Sequence, residues 1–310
     1  MKLFSWITKE TNYDFVGKRK LFYILSVIMV VAAIASMGIK GFNYGIDFSG
    51  GVLIEIKGEE VFDLNDLRAK LAQTKLEDVT LQSIGADGTE LMIRAQAEGL
   101  DDKELLAAVN QVKEVIGENV EYRKVEQVGP QVGDELKLKG VISAILAVLA
   151  LSAYVWVRFE WQFAIGTMIG LTQDALVAAG LLSFFDMDFS LTTLAALLTL
   201  IGYSINDKVV TYDRIRENLK KHKKMPQLEL INLSINEMLA RTLLTGISTL
   251  GASLALLAWG GETLRVFSFV ITFCVIVGTY SSIFTSAMIL NLFDLRKVDD
   301  ERVNPFEKIG

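Results

Sequence analysis

Six apolar runs govern what this 310-residue chain can fold into: residues 21–39, 140–157, 161–185, 189–210, 238–260 and 264–293. A helix needs roughly 20 apolar residues to cross a bilayer, and each run meets or approaches that length. The 51% of hydrophobic residues is bunched into these runs and not spread over alternating faces. The expectation is therefore a polytopic α-helical membrane protein with six transmembrane helices. The third and sixth runs exceed the requirement and predict helices that tilt or extend past the interface. Lys18-Arg19-Lys20 ahead of the first run, and Ala33-Ile34-Ala35 within it, resemble a cleaved secretory signal. The run is longer than a signal's apolar core and roughly twenty residues precede it, so it reads as an uncleaved anchor.

Charge sets an orientation. Basic residues gather near the N-terminus (Lys2, Lys9, Lys18, Arg19, Lys20), after the fourth run (Arg214, Arg216, Lys220, Lys221, Lys223, Lys224) and after the sixth (Arg296, Lys297). The turn between the third and fourth runs holds Asp186 and Asp188 and no base. The positive-inside rule then puts both termini in the cytoplasm. It divides the chain into a cytoplasmic N-terminal segment (1–20), a first span (21–39), a periplasmic domain (40–137), a bundle of the second to sixth spans (138–293) and a cytoplasmic tail (294–310). Residues 41–137 hold ten Lys or Arg against twenty Asp or Glu, so of the net charge of −6 this domain carries −10 and the remainder +4. An acidic soluble part argues against nucleic acid. With one cysteine (Cys274) and one histidine (His222), neither an internal disulfide framework nor a Cys/His zinc site is expected.

Within the periplasmic domain the pattern predicts a strand over 52–56 and a helix over 63–73 opened by Asp63. Strands over 79–84 and 90–95 flank the turn Ala86-Asp87-Gly88-Thr89. A helix over 101–116, with Asp101 and Asp102 as caps, and a strand over 120–128 complete it. The order β-α-β-β-α-β is the ferredoxin-like one. No paired carboxylate site, nucleophile–base pair or phosphate loop is present in it, and it reads as a binding or contact domain.

Ionisable residues inside a bilayer cost at least ~2.5–3.5 kcal/mol at a helix centre and are functional by default. Asp174 lies in the third run, Asp207 at the inner end of the fourth and Arg241 at the start of the fifth. On a helix, positions three, four and seven apart share a face. Around Asp207 that face holds Leu200, Tyr203, Ser204 and Thr211; around Arg241 it holds Thr245, Ser248 and Ala252. Around Asp174 it holds Thr167, Gly170 and Ala178, and the sixth run has its own stripe of Ser268, Thr272, Thr279, Ser282 and Ser286. Small and hydroxyl residues let helices approach and hydrogen-bond, so these stripes predict an inward-facing seam. Two readings of Asp207 and Arg241 stand open: a proton relay in which Arg241 approaches or leaves the acid, and a static pair that fixes packing. Asp174 reads equally as a relay or as a hydrogen-bond partner of a neighbouring hydroxyl. Lys208 is expected to snorkel to the inner interface. The charges from Asp213 to Asn218 read mostly as a solvated helix extension, with Asp213 free to pair with Arg214 or Arg216.

GFNYGIDFSGG (41–51), VGPQVG (128–133), RFEW (158–161) and YSINDKVVTYDRIREN (203–218) together resemble the SecF signatures of the bacterial SecD/SecF family, within the resistance-nodulation-division superfamily. The resemblance covers nearly the whole chain. It implies a non-enzymatic auxiliary subunit of the Sec preprotein translocase in the inner membrane, coupling the proton motive force to late steps of export. No cofactor is implied, and the coupling ion is H⁺, with Na⁺ as the alternative. The implied partners are a SecD-like six-span protein, the SecYEG channel, YajC and YidC further out, and the translocating preprotein. Asp207 and Arg241 match the acid and the arginine implicated in proton passage; Asp174, Gln173, Ser204, Tyr203 and Thr245 are secondary relay or packing candidates. Asp47, Gly50, Gly51, Asp213 and Arg214 match motif positions with structural roles: Asp47 is expected to place the domain over the first span, and Gly50-Gly51 to make a tight turn. Two positions depart from the family pattern. Gln173 stands where many relatives carry His, and Lys208 where a small polar residue is common; a Lys208 that reached Asp207 would hold that acid charged. Six spans with one outer domain is half of the superfamily plan, so a lone half has an unpaired seam and calls for a heteromeric partner, with a homodimer as the alternative.

Three other readings stand beside this one. The chain could be half of a small-molecule or lipid exporter of the same superfamily, or a membrane scaffold that transports nothing. It could also be an intramembrane aspartyl protease using Asp174 and Asp207, although neither acid sits in a Tyr-Asp or Gly-x-Gly-Asp context.

Overall fold

The computed structural model describes residues 12–71, 77–84, 88–96, 102–117 and 120–296. Lys2, Lys9 and Lys297, the end of the helix expected to reach Gln73, the Ala86-Asp87 half of the turn and the Asp101 cap lie outside these residues, as does the tail beyond Arg296. In chain order the elements are α1 (Arg19–Lys40), β1 (Asn43–Tyr44), α2 (Ile46–Ser49), β2 (Gly51–Lys57), α3 (Leu64–Leu71), β3 (Glu77–Ile84), β4 (Glu90–Gln96), α4 (Asp102–Ile116), β5 (Glu121–Val128), α5 (Pro130–Arg158), α6 (Trp161–Phe184), β6 (Asp188–Phe189), α7 (Leu191–Lys221), α8 (Gln227–Trp259) and α9 (Gly261–Ser281). A π turn (Ser282–Ser286) continues α9.

The chain divides into two units, one of Met1–Gly41, Ala144–Asp186 and Ala195–Gly310, the other of Phe42–Ser143 and Met187–Leu194. Among the described residues five helices are long and apolar enough to cross a membrane: Arg19–Lys40, Gln131–Arg158, Trp161–Phe184, Gln227–Trp259 and Leu264–Leu292. The fourth expected span falls in α7, whose 31 residues run without a break from an apolar half into a charged one.

In the helical unit, α6 is buried on most of its circumference, from Phe163 through Thr167, Asp174 and Val177 to Leu182. Its core includes Phe159, Phe163, Tyr212, Ile215, Ile231 and Met288. Close approach of α1 to α6 uses Gly180, where a Cβ would collide with Ala33, the small-residue contact that membrane helices favour. Leu21, Ile24, Val27 and Val31 of α1 and Ile145 and Leu149 of α5 are exposed, as lipid-facing side chains would be.

The second unit holds a four-stranded antiparallel sheet in the order β3-β4-β2-β5. Side chains alternate across a strand, and the inward set is Val52, Ile54 and Ile56 on β2 with Leu91, Ile93 and Ala95 on β4. They pack with Leu105, Ala108, Val109 and Val112 of α4. Asp63 Oδ1 accepts from Asn65 N at 2.9 Å and Asp66 N at 3.3 Å, opening α3 as its sequence position predicted. The strands and helices expected here form within about two residues of their expected ends. The sequence patterns did not reveal α2 or the two-residue parallel pairing of β1 with β6, Asn43 opposite Asp188 and Tyr44 opposite Phe189.

Candidate functional site

The GIDFSGG motif builds the base of the second unit. Gly50 and Gly51 have φ of 72° and 140°, in the region that glycine alone enters without strain, so the expected turn is present. Asp47 Oδ2 accepts from Leu191 N at 2.8 Å, which satisfies a free donor at the start of α7. Asp47 thus serves the start of α7, where it meets an N–H group that the helix leaves unpaired. The VGPQVG motif meets the same turn, since a Cβ on Gly133 would lie 2.8 Å from Phe48 O and 3.0 Å from Gly50 N. Asp188 of β6 accepts from both guanidinium Nη atoms of Arg94 and from Asn43 Nδ2 at 3.0 Å. This Arg–Asp pair, 94 residues apart in sequence, was not foreseen.

The polar residues of the bundle divide around α7. Lys208 is completely buried, and its Nζ donates to Asp174 Oδ2 (2.9 Å), Ser204 Oγ (2.5 Å) and Ser281 Oγ (2.9 Å), with Ser282 Oγ at 3.4 Å. Asp174 is also completely buried, and its Oδ2 accepts from Ser204 Oγ at 2.5 Å. The expected snorkelling of Lys208 does not occur. Its face of α7 looks at α6 and the end of α9, where a carboxylate and hydroxyls replace the water that a lysine head otherwise seeks. Gly170 makes the space: a Cβ there would lie 2.6 Å from Lys208 Cε and collide with Ser286 Oγ. Of the two readings of Asp174, the hydrogen bond to a neighbouring hydroxyl is present, joined by an ion pair that sequence spacing did not reveal.

Gln173 Oε1 accepts from Thr285 Oγ1 at 2.9 Å, and Thr285 Oγ1 lies 3.1 Å from Ser26 Oγ of α1. Gln173 therefore tethers α6 to the π turn.

Asp207 meets α8 instead. It is 5% exposed, and its Oδ1 has one long contact, from Thr245 Oγ1 of α8 at 3.5 Å. Its Oδ2 and the Tyr203 hydroxyl one turn earlier are buried without hydrogen-bond partners among the described residues. Arg241 forms no ion pair with it and is exposed. The expected inward stripe Arg241–Thr245–Ser248–Ala252 is corrected. The buried face of α8 carries Thr242, Gly246 and Ser253, because these small residues are the ones that pack toward α9: Thr272 Oγ1 donates to Ser253 Oγ at 2.9 Å. The stripes of α6 and α9 do face inward, with Thr167, Ala178, Ser268, Ser282 and Ser286 buried.

Arg241 instead borders a cleft of about 390 Å³ with Tyr154, Arg158, Asp213, Arg214 and Glu217. The charged end of α7 is more than a solvated extension. Arg214 pairs with Glu237 (2.7 Å) and Glu217 (2.6 Å), Arg216 lies 3.7 Å from Glu160, and Asn218 Nδ2 donates to Glu237 Oε2 at 2.6 Å. Arg214 and Asn218 thereby bind α7 to α8.

Two family models match: "Protein export membrane protein SecD/SecF, C-terminal" over residues 108–296 and "SecD/SecF GG Motif" over 35–59. Protein translocase subunit SecF of Rickettsia rickettsii is 44% identical over 295 residues, covering 94% of this chain and 95% of that protein. The same-named protein of Rickettsia prowazekii is 43% identical over 296 residues, covering 94% of each. Among solved structures, SecDF of Thermus thermophilus, a translocon-associated membrane protein, superposes with a TM-score of 0.80 at 31% identity, over 91% of this chain and 39% of that one. SecDF in a super-membrane-facing form gives 0.67 at 32% identity, over 94% of this chain and 40% of that one. The chain thus spans about two-fifths of the solved SecDF chains and nearly all of the curated SecF relatives. Carrying both the GG motif that caps α7 and the C-terminal region that holds its charges, the chain belongs to the SecD/SecF family of protein export membrane proteins, on its SecF side.

Proposed function

We propose that this multi-pass membrane protein works as the SecF-type subunit of the protein translocase, an auxiliary transport subunit and not an enzyme, with Asp207 as the group that takes up and releases the coupling proton. In this reading α7 is the fourth of six crossings, the sheet unit is a ferredoxin-like domain on the outer side of the inner membrane, and both termini are cytoplasmic. The observation that carries the relay is the Asp207 carboxylate: buried, with one oxygen at a long contact and the other without a partner. A buried carboxylate without compensation is held at a cost, and it can gain or lose a proton without first breaking a strong pairing. Thr245 and the Tyr203 hydroxyl are the neighbouring groups that could pass the proton on, and Arg241 the cation whose approach would favour its release.

The solved SecDF chains extend well beyond the part that this chain matches, which supports a SecD-like partner. The exposed face of α8 bearing Arg241 is the seam such a partner would close. The SecYEG channel and the preprotein follow as further partners from the translocase role, and H⁺ is the preferred coupling ion over Na⁺. The aspartyl-protease dyad finds no support, because Asp174 is held by Lys208 and Ser204, whereas the contact of Asp207 is with Thr245 of α8.

The test is export of a secreted precursor into inverted membrane vesicles that carry this chain with its SecD-like partner, with and without a proton gradient. Asp207→Asn is expected to lose the gradient-stimulated fraction while assembling normally, and Arg241→Met to do the same. Full gradient stimulation in Asp207→Asn would leave the scaffold reading in its place.

A further inference from the structure

The surroundings of Lys208 exceed what a salt bridge needs. Its ammonium has three N–H groups, yet four oxygens surround it: Asp174 Oδ2, Ser204 Oγ, Ser281 Oγ and Ser282 Oγ, at 2.5–3.4 Å. These come from α6, α7 and the junction of α9 with the π turn. One carboxylate and three hydroxyls, all oxygen and all neutral but one, is the donor set that suits a hard, singly charged metal ion. The site also holds acceptors that the lysine does not use. Asp174 Oδ1 and Ser286 Oγ are buried without hydrogen-bond partners among the described residues, and Ser286 Oγ stands beside Gly170, where a Cβ would collide with it.

We propose that Lys208 is a tethered cation occupying a monovalent metal-ion site built by α6, α7 and the end of α9, and that the cage takes Na⁺ or Li⁺ once the side chain is removed. The lysine then acts as a specificity-determining residue: it neutralises Asp174 permanently, so that no free ion can compete there. The inference concerns Asp174 and its cage, and stands or falls separately from proton uptake at Asp207.

The experiment uses the purified full-length chain and its Lys208→Ala, Lys208→Thr and Lys208→Ala/Asp174→Asn variants, melted in chloride salts of choline, K⁺, Na⁺ and Li⁺ at one ionic strength. Wild type and the double variant are expected to melt alike in all four. Lys208→Ala is expected to melt higher in Na⁺ or Li⁺ than in choline, by roughly 3–6 °C at ten times the dissociation constant. Equilibrium dialysis of Lys208→Thr against radioactive Na⁺ gives the binding without unfolding, with about one ion per chain expected in the wake of the single-site assignment. A single variant that folds only in Na⁺ or Li⁺ supports the proposal. Equal melting of Lys208→Ala in every salt, a cation shift that survives Asp174→Asn, or single variants that fold in no salt while the double variant folds would each overturn it.

Discussion

Two neighbouring residues of α7 show opposite treatments of charge inside one helical bundle. On one side Asp174 and Lys208 neutralise each other within a set of hydroxyls, both completely buried. On the other, the one hydrogen-bond contact of Asp207 is from Thr245 at 3.5 Å, and Arg241, the cation expected to pair with it, is exposed. A step of one residue rotates a helical side chain by roughly 100°, so adjacent positions can be assigned to different neighbours. The difference teaches which carboxylate is structural. A sealed pair is costly to separate, because breaking it leaves a bare charge in a low-dielectric interior. An unsealed one can change its protonation with little rearrangement.

The largest test of that contrast is Asp174→Leu, which strands Lys208 and is expected to cost ~3–5 kcal/mol in denaturant or thermal unfolding. Adding Lys208→Met should recover most of the loss; if the double variant is no better than the single one, the pair is not what holds these helices. Next is Asp47→Ala, outside the bundle interior, where loss of the helix-start hydrogen bond to Leu191 N should lower stability by about 1 kcal/mol. Asp207→Asn should change stability by about 0.5 kcal/mol or less, since little pairing is removed, even though gradient-stimulated export is lost. A stability loss as large as that of Asp174→Leu would erase the distinction between the two sides of α7.

The smallest effect belongs to a charge in water. Glu90 accepts from Lys57 Nζ at 3.1 Å and Arg123 Nη1 at 2.9 Å, and these bonds, Lys57's first, hold its carboxyl below the usual range. A depressed folded-state value means that the stabilisation is complete above the unfolded-state titration and is lost as pH falls through the folded-state one. The slight acid sensitivity this gives the sheet unit should disappear in Glu90→Gln, measured by unfolding between neutral and acid pH.

Much of the fold was legible because it rests on periodicity. The alternation of Val52, Ile54 and Ile56 and the spacing of Leu105, Val109 and Val112 set the elements of the sheet unit to within about two residues, while the apolar runs marked the long helices but not the polar turns by which α5, α7 and α8 exceed them. The small-residue stripes of α6 and α9 were legible for the same reason. The rotation of α8 was not. Thr242 and Gly246 mark its buried face as plausibly as Arg241 and Thr245 mark another, and packing against α9 decides between them. Lys208 was misplaced because its partner lies 34 residues away on another helix, and a default preference for water stood in for that information. The i, i+4 spacings of Ser204 with Lys208 and Gly170 with Asp174, a hydroxyl beneath an amine and a gap beneath an acid, were the available signal. Asp47 stood out in its motif, but what it and Asp188 bind depends on chain closures of 144 and 94 residues that no local pattern encodes.

The π turn at Ser282–Ser286 carries a further consequence. Such a turn is an α-helix with one residue intercalated, so the two halves of the last span run out of phase by about a quarter-turn or more. Where the turn begins, Ser281 and Ser282 address the amine of α7; near its end, Thr285 addresses Gln173 of α6 and Ser26 of α1. A single rod therefore reads two different neighbourhoods, and deleting one residue between 282 and 286 would restore its phase while setting every polar contact beyond it against the wrong helix.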